Sequence, residues 1–263
     1  GDFNIRMPLA TTDAESIEEE LPDLIMVKLR AGDNGGIAGI TVDDNDIKYQ
    51  QQQGMPMQGS LSDVALAKLL TKLQPHQPKA IASDIIHDFP FNPNLAAIIN
   101  ETNNFFAICR IHSPQSELIG IEPPVELPLH KIGFSNMAID PDDTIRRQIL
   151  GMSPDRVCQS DISLGLRLAL NYLERVPTKF TNKGLQIGDV VFTKLKSNSG
   201  GYQLPNRDAR GYQILLNYHQ EQSPSISLQE ILNTEDSKLA KLVKDKIVLI
   251  GGKGHHRDAH HTP

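Results

Sequence analysis

Apolar residues along this chain fall into short runs separated by stretches in which they recur every three or four positions, and the two patterns alternate. Residues 39–42, 79–86, 105–109, 212–218 and 247–250 are largely apolar runs of strand length. Between the first two, Leu66, Leu69, Leu70 and Leu73 mark one helical face behind Ser60 or Ser62 as N-cap, and Pro75 and Pro78 stop that helix. Residues 94–100 and 163–174 are further helices, the second periodic through Leu166, Leu170 and Leu173. Strand, helix and strand over 39–86 predict a βαβ unit with parallel pairing and a right-handed crossover, and 94–109 repeats the step. The fold class is therefore α/β, with a largely parallel central sheet flanked by helices and added antiparallel hairpins.

Two hairpins are expected. Residues 132–137 and 145–150 flank a turn at Pro141-Asp142-Asp143, and 185–187 and 190–192 flank Gly188-Asp189. Ser227 and Glu230 have the spacing of a capping box for one helix before the last strand. Residues 23–30 read as a helix ending before Gly32. The Gln-rich stretch 50–59 lacks periodicity and is expected as a surface loop, and the proline-rich middle as an excursion over the surface.

At 263 residues the chain is long enough to bury a large core as one α/β domain. A net charge of −6 argues against a phosphate backbone as partner, because nucleic-acid binding needs a basic face. No apolar run reaches the roughly 18 residues that span a bilayer, and residues 1–20 lack the basic start and apolar middle of a signal peptide. Cys109 and Cys158 stand outside any CxxC pair and make no metal motif. In a cytosolic protein they would be two buried free thiols; an extracytoplasmic location reverses that expectation.

Asp43, Asp84 and Asp258 each fall at or just past the carboxyl end of an expected strand, so a parallel sheet brings them towards one edge. Converging carboxylates repel unless a cation or an amine relieves them, which makes these three the candidate ligand-binding residues, for a polar ligand or a hard cation such as Mg²⁺ or Ca²⁺. The competing reading is that each aspartate caps a loop or helix through hydrogen bonds to the backbone. His255, His256, His260 and His261 are weighed as Zn²⁺ or Ni²⁺ ligands against the simpler reading of solvated loop histidines. Arg146 and Arg147 are candidates for holding an anion, but strand neighbours point to opposite faces. The glycine pairs match neither phosphate-loop pattern, and no adjacent nucleophile and base can be picked out, so no catalytic residue, metal site or cofactor is assigned.

Several segments in order resemble one family. They are the helix ending in Leu29-Arg30, Thr41-Val42-Asp43-Asp44-Asn45-Asp46-Ile47, Ser60-Leu61-Ser62-Asp63, Ser83-Asp84-Ile85, and Gly133-Phe134-Ser135-Asn136 with Asp140-Pro141-Asp142 and Arg146-Arg147. Ser163-Leu164, Leu216-Asn217-Tyr218 and the closing Lys244-Asp245-Lys246-Ile247-Val248-Leu249-Ile250-Gly251, with a following Asp258 and Thr262-Pro263, complete the set. Together they resemble the second class of CHASE domains, extracellular sensory modules fused to bacterial cyclases, kinases and related effectors, and are similar to the cyanobacterial branch. One departure is the histidine-rich loop 253–261, where relatives have small and hydroxyl residues before the Asp.

The resemblance implies a single sensory domain over 1–263, with a membrane-proximal helix in 1–30 and an α/β core over 37–263. It implies an extracytoplasmic, ligand-sensing input domain on the periplasmic side of a membrane signalling protein, without enzymatic activity of its own. The expected partners are an unknown small-molecule ligand, flanking transmembrane helices and a cytoplasmic effector, with a homodimer as a further expectation. Relatives continue past Thr262-Pro263 into a helix and carry membrane spans outside these limits, so the stop there reads as an artificial end. The implied location makes Cys109 and Cys158 an expected disulfide, since Cys109 ends a strand-like run and Cys158 precedes the helix at Ser163. The alternatives are a metal-dependent hydrolase using the clustered aspartates, or a periplasmic binding module without signalling.

Overall fold

The computed structural model describes residues 3–6, 36–113, 119–174, 178–205, 208–218 and 223–253. In chain order these form β1 (Phe3–Arg6), β2 (Ile37–Val42), α1 (Asp44–Gln52), α2 (Asp63–Leu73), β3 (Ala80–Ser83), α3 (Pro93–Glu101) and β4 (Phe105–Cys109). There follow β5 (Ile132–Phe134), β6 (Arg147–Gly151), α4 (Leu164–Tyr172), β7 (Thr178–Phe180), β8 (Leu185–Ile187) and β9 (Val190–Phe192). The chain closes with β10 (Tyr212–Tyr218), β11 (Ser225–Ser227), α5 (Leu228–Asn233), α6 (Asp236–Val243) and β12 (Ile247–Gly252). The helix expected over 23–30 lies outside the described residues.

Six strands make the central sheet, in the order β11-β2-β12-β3-β4-β5, and each neighbouring pair is parallel. Every residue of β3, β4 and β5 is buried, which a parallel sheet requires when helices cover both faces. Alternation along the strands sorts the core. Ile81, Phe105, Ala107 and Cys109 join Leu69, Leu70, Leu95, Ile99, Ile231 and Leu239 on the face covered by α2, α3, α5 and α6. Ala80, Ala82, Phe106 and Ile108 face the other way, onto Leu164 and Leu168 of α4. Leu166, two positions from each of those leucines, points instead into a third apolar cluster with Leu150, Leu185, Phe192 and Ile214. Helix α4 is thus the layer between the parallel sheet and two smaller antiparallel sheets, β1-β10-β6 and β7-β8-β9.

The α/β class with a largely parallel sheet and antiparallel additions is the one the periodicity predicts, but four local expectations change. First, β2 and β3 are parallel without being partners, because the last strand, β12, lies between them. Its run Ile247-Val248-Leu249-Ile250 is the apolar segment that can be covered on both faces. Second, β5 and the strand after Asp142 form no hairpin. β5 pairs with β4 in the parallel sheet and β6 pairs with β10 in another sheet, while the turn itself closes through Asp143 N–H to the Asp140 carbonyl. Third, the segment after Asp43 is helical to Gln52, where a loop from residue 50 is expected. Gln50 is fully buried; its amide donates to the carbonyls of Asp46 and Ser60 and accepts from Ser62 N–H, so a glutamine side chain supplies the order that apolar periodicity lacks. The single helix expected before the last strand is two, α5 and α6, divided at Thr234.

Gly133 explains how α4 reaches the sheet. A Cβ at this position would lie 2.3 Å from Leu164 Cα, so only glycine admits the helix start that closely. Ser163 caps α4 through its hydroxyl, and its neighbour Ile162 accepts Phe134 N–H, while Ser163 N–H donates to the Leu150 carbonyl. Residues 162–163 therefore stitch β5 of the parallel sheet to β6 of the antiparallel one.

Candidate functional site

The strand order puts the ends of β2, β12 and β3 side by side, so Asp43 and Asp84 flank the strand that runs on towards Asp258. Two strand spacings separate them, about 10 Å at the level of the backbone. Asp43 is the N-cap of α1: its Oδ1 accepts Asn45 N–H at 2.8 Å and Asp46 N–H at 3.0 Å. Asp46 completes the capping box by accepting Asp43 N–H, and its other oxygen accepts Gln229 N–H at the start of α5. Asp46 is buried and ties α1 to α5, a role its acidic neighbours in sequence conceal. Asp84 is exposed, and its N–H extends the β3–β12 ladder by donating to the Ile250 carbonyl. Asp258 and the four histidines of its loop lie outside the described residues.

On the face covered by α2 and α3, the chain leaving β3 folds back over a pocket lined by Leu66, Ser83, His87, Phe91, Ala107 and Pro124 among others. Its volume is about 10 Å³, room for one water-sized sphere. His87 lies against Phe89 and Phe91, with ring centroids 3.8 and 4.3 Å away, and its Nε2 is 3.5 Å from Asp63 Oδ1. That nitrogen and Glu126 Oε2 are both buried without a hydrogen-bond partner among the described residues. Burial of the imidazole lowers its pKa below the ordinary 6.5, against the opposing charges of Asp63, Glu126 and Asp88. The other carboxylate oxygens hold the loop: Glu126 Oε1 accepts Phe91 N–H, and Asp63 Oδ2 accepts Asn92 N–H at 2.6 Å. Of these three, only Asp63 falls in a segment singled out in sequence, and not as a partner of His87; the one signal for His87 is that Phe89 and Phe91 follow it just after a strand.

Arg146, just before β6, and Arg147, its first residue, differ in exposure, yet both reach the Asp140 carboxylate and both are committed to carboxylates within the chain. Arg146 pairs with Asp142 at 2.8 Å near the surface, which pulls the Asp142 carboxyl well below the usual range. Arg147 is buried against Asp140 at 2.6 Å. Neither guanidinium is presented to an anionic ligand.

Cys109 and Cys158 are joined in a disulfide, with Cα atoms 5.4 Å apart. Beside the bridge, Asp155 accepts the backbone N–H groups of His112, Val157 and Cys158. Burial pushes its carboxyl up, but these donors outweigh that and hold it below the ordinary 3.8. Bridge and carboxylate together bind the chain leaving β4 to the loop before α4.

Among the described residues no group of three or more His, Cys, Asp and Glu side chains could hold a metal ion, and no helix is long and apolar enough to cross a membrane. Compared with known families, residues 5–263 match the CHASE2 domain. No curated protein and no solved structure matches the chain.

Proposed function

The chain belongs to the CHASE2 domain family of extracellular sensory domains, and from that membership we propose that it is the extracytoplasmic, ligand-sensing input domain of a bacterial transmembrane signal-transduction protein. The match over residues 5–263 carries this reading, because it spans the three sheets and the helix layer between them rather than one motif. The Cys109–Cys158 disulfide supports it, since such bonds persist on the oxidising side of a membrane. The ligand acts at the carboxyl edge of the parallel sheet, where open α/β sheets bind their ligands and where Asp43, Asp84 and Asp258 follow three adjacent strands. Binding there favours one packing of the domain over another, and flanking membrane helices pass the bias to a cytoplasmic effector that holds whatever enzymatic activity the protein has.

The test is topological. A reporter enzyme that matures only in the periplasm, fused within the native full-length gene directly after this domain, should be active, and a fluorescent reporter that matures only in the cytoplasm should be dark. The reverse pattern would reject the extracytoplasmic reading.

A further inference from the structure

Residues 84–92 leave β3, pass over the pocket and enter α3. Hydrogen bonds that hold this strap include Asp84 N–H to the Ile250 carbonyl, Ile85 N–H to Ser83 Oγ, Phe91 N–H to Glu126 Oε1 and Asn92 N–H to Asp63 Oδ2. The first two are at its base and the last two at its far end. Between them His87 turns inward, its side chain 10% exposed, in tilted contact with two aromatic rings of its own strap. The exposed neighbour Ile86 and the exposed Asp84 and Asp88 face outward.

We propose that His87 is the latch of a pH-dependent lid: while its imidazole is neutral, residues 84–92 stay closed over the pocket, and proton uptake releases them. A neutral imidazole buried against Phe89 and Phe91 gives up far less hydration than a charged one. An imidazolium at the same place must give up its hydration, and a pocket of about 10 Å³ returns at most one water. Three acidic groups face the ring: Asp63 from α2, Glu126 from the connection between β4 and β5, and Asp88 from the strap itself. They favour the charged form but fall short of the loss of solvent, so the imidazole is kept neutral while it stays closed in.

Geometry agrees with that balance. The buried Nε2 has no hydrogen-bond partner and Asp63 Oδ1 is at 3.5 Å, beyond a short charge-assisted bond. The proton therefore binds the open strap better than the closed one. Acidification shifts the population towards opening, which uncovers Ser83, Phe105 and Ala107 on the sheet. The latch itself rests on this geometry; its use as a signal input rests on the sensory reading above.

Two measurements on the purified domain test it. The ring signals of His87, assigned by their loss in H87N, are titrated by NMR, and amide exchange of residues 84–92 is followed at pH 7.5 and 5.5 with correction for intrinsic rates. The expected result is a His87 midpoint below 6.5, with protection of 84–92 falling as pH drops, by up to about tenfold for each pH unit between 6.5 and that midpoint. Protection of Ile247–Gly252 should hold steady, and H87N should remove the pH dependence of the strap. A His87 midpoint at or above 6.5, or equal strap protection at both pH values, overturns the proposal. So does a pH dependence that survives in H87N. The wild-type amide exchange decides the matter even if H87N does not fold. Failure here leaves the topological test untouched, and failure of that test leaves the latch standing.

Discussion

Arg147 and Asp140 form an ion pair that is almost completely withdrawn from water, with side chains 1% and 2% exposed and Nη2 2.6 Å from Oδ1. The surroundings satisfy both partners. Arg147 also donates to Gln213 Oε1 and to the Asp208 carbonyl, and Asp140 accepts from Arg146 and from the Tyr202 hydroxyl. Three separate segments, the turn before β6, strand β10 and the loop at Tyr202, are gathered on one guanidinium–carboxylate contact.

Removing one partner should leave the other charge buried and unpaired. Asp140→Ala is expected to lower stability by about 3–5 kcal/mol in urea unfolding, and D140A combined with Arg147→Met should recover much of the loss. A double variant no more stable than D140A would show that the pair is not coupled as described.

Two glycines near α4 should respond in opposite directions. Gly133→Ala forces a methyl into the start of the helix and should cost about 1–3 kcal/mol. Gly165, the second residue of α4 and open to solvent, has nothing within 4 Å of an added Cβ, so Gly165→Ala should stabilise by about 0.5–1 kcal/mol through helix propensity. Differential scanning calorimetry of the two variants gives the sign of each.

The disulfide closes a segment of sequence separation 49. In the chain-entropy model that restriction of the unfolded chain is worth about 4 kcal/mol. Unfolding free energies from denaturant curves measured with and without reductant, and for C109S/C158S, should differ by an amount of that order. Coincident curves would mean that the bridge adds nothing to the packing around it.

Asp155 predicts acid sensitivity with a definite sign. Its folded pKa is below the ordinary 3.8, so on acidification the unfolded chain takes up the proton first. The stabilisation is complete above pH 3.8 and is lost as pH falls through the lower folded value. Asp155→Asn should reduce stability at neutral pH and flatten this part of the acid limb. Unfolding midpoints collected from pH 5 down to 2 would show it, and an unchanged acid limb would count against the assignment.

Several elements could be read from the chain because their causes are local. Ser62 and Ser163 cap the helices they precede, 105–109 and 212–218 are strands at the bounds expected, and Gly188 takes the left-handed backbone that turns β8 into β9. Each depends on side chains and backbone a few residues apart. The candidate site was legible to a smaller degree. Strand ends announce a ligand edge, but a sequence does not say whether Asp43 spends its carboxylate on a helix cap, and it gives no sign that His87, Asp63 and Glu126 meet.

What the amino-acid sequence alone determined was the class of fold, since hydrophobic periods of two and of three to four residues choose between strand and helix wherever they occur. Only the tertiary structure decided which strands are neighbours. The pattern of β12 says that it must be covered on both faces and not that it must separate β2 from β3, because that choice depends on helices and strands packing together across the whole chain. The same holds for the buried charges. Asp46, Arg147 and Asp140 look like surface residues in a sequence, and their burial follows from hydrogen-bond partners that folding alone brings within reach.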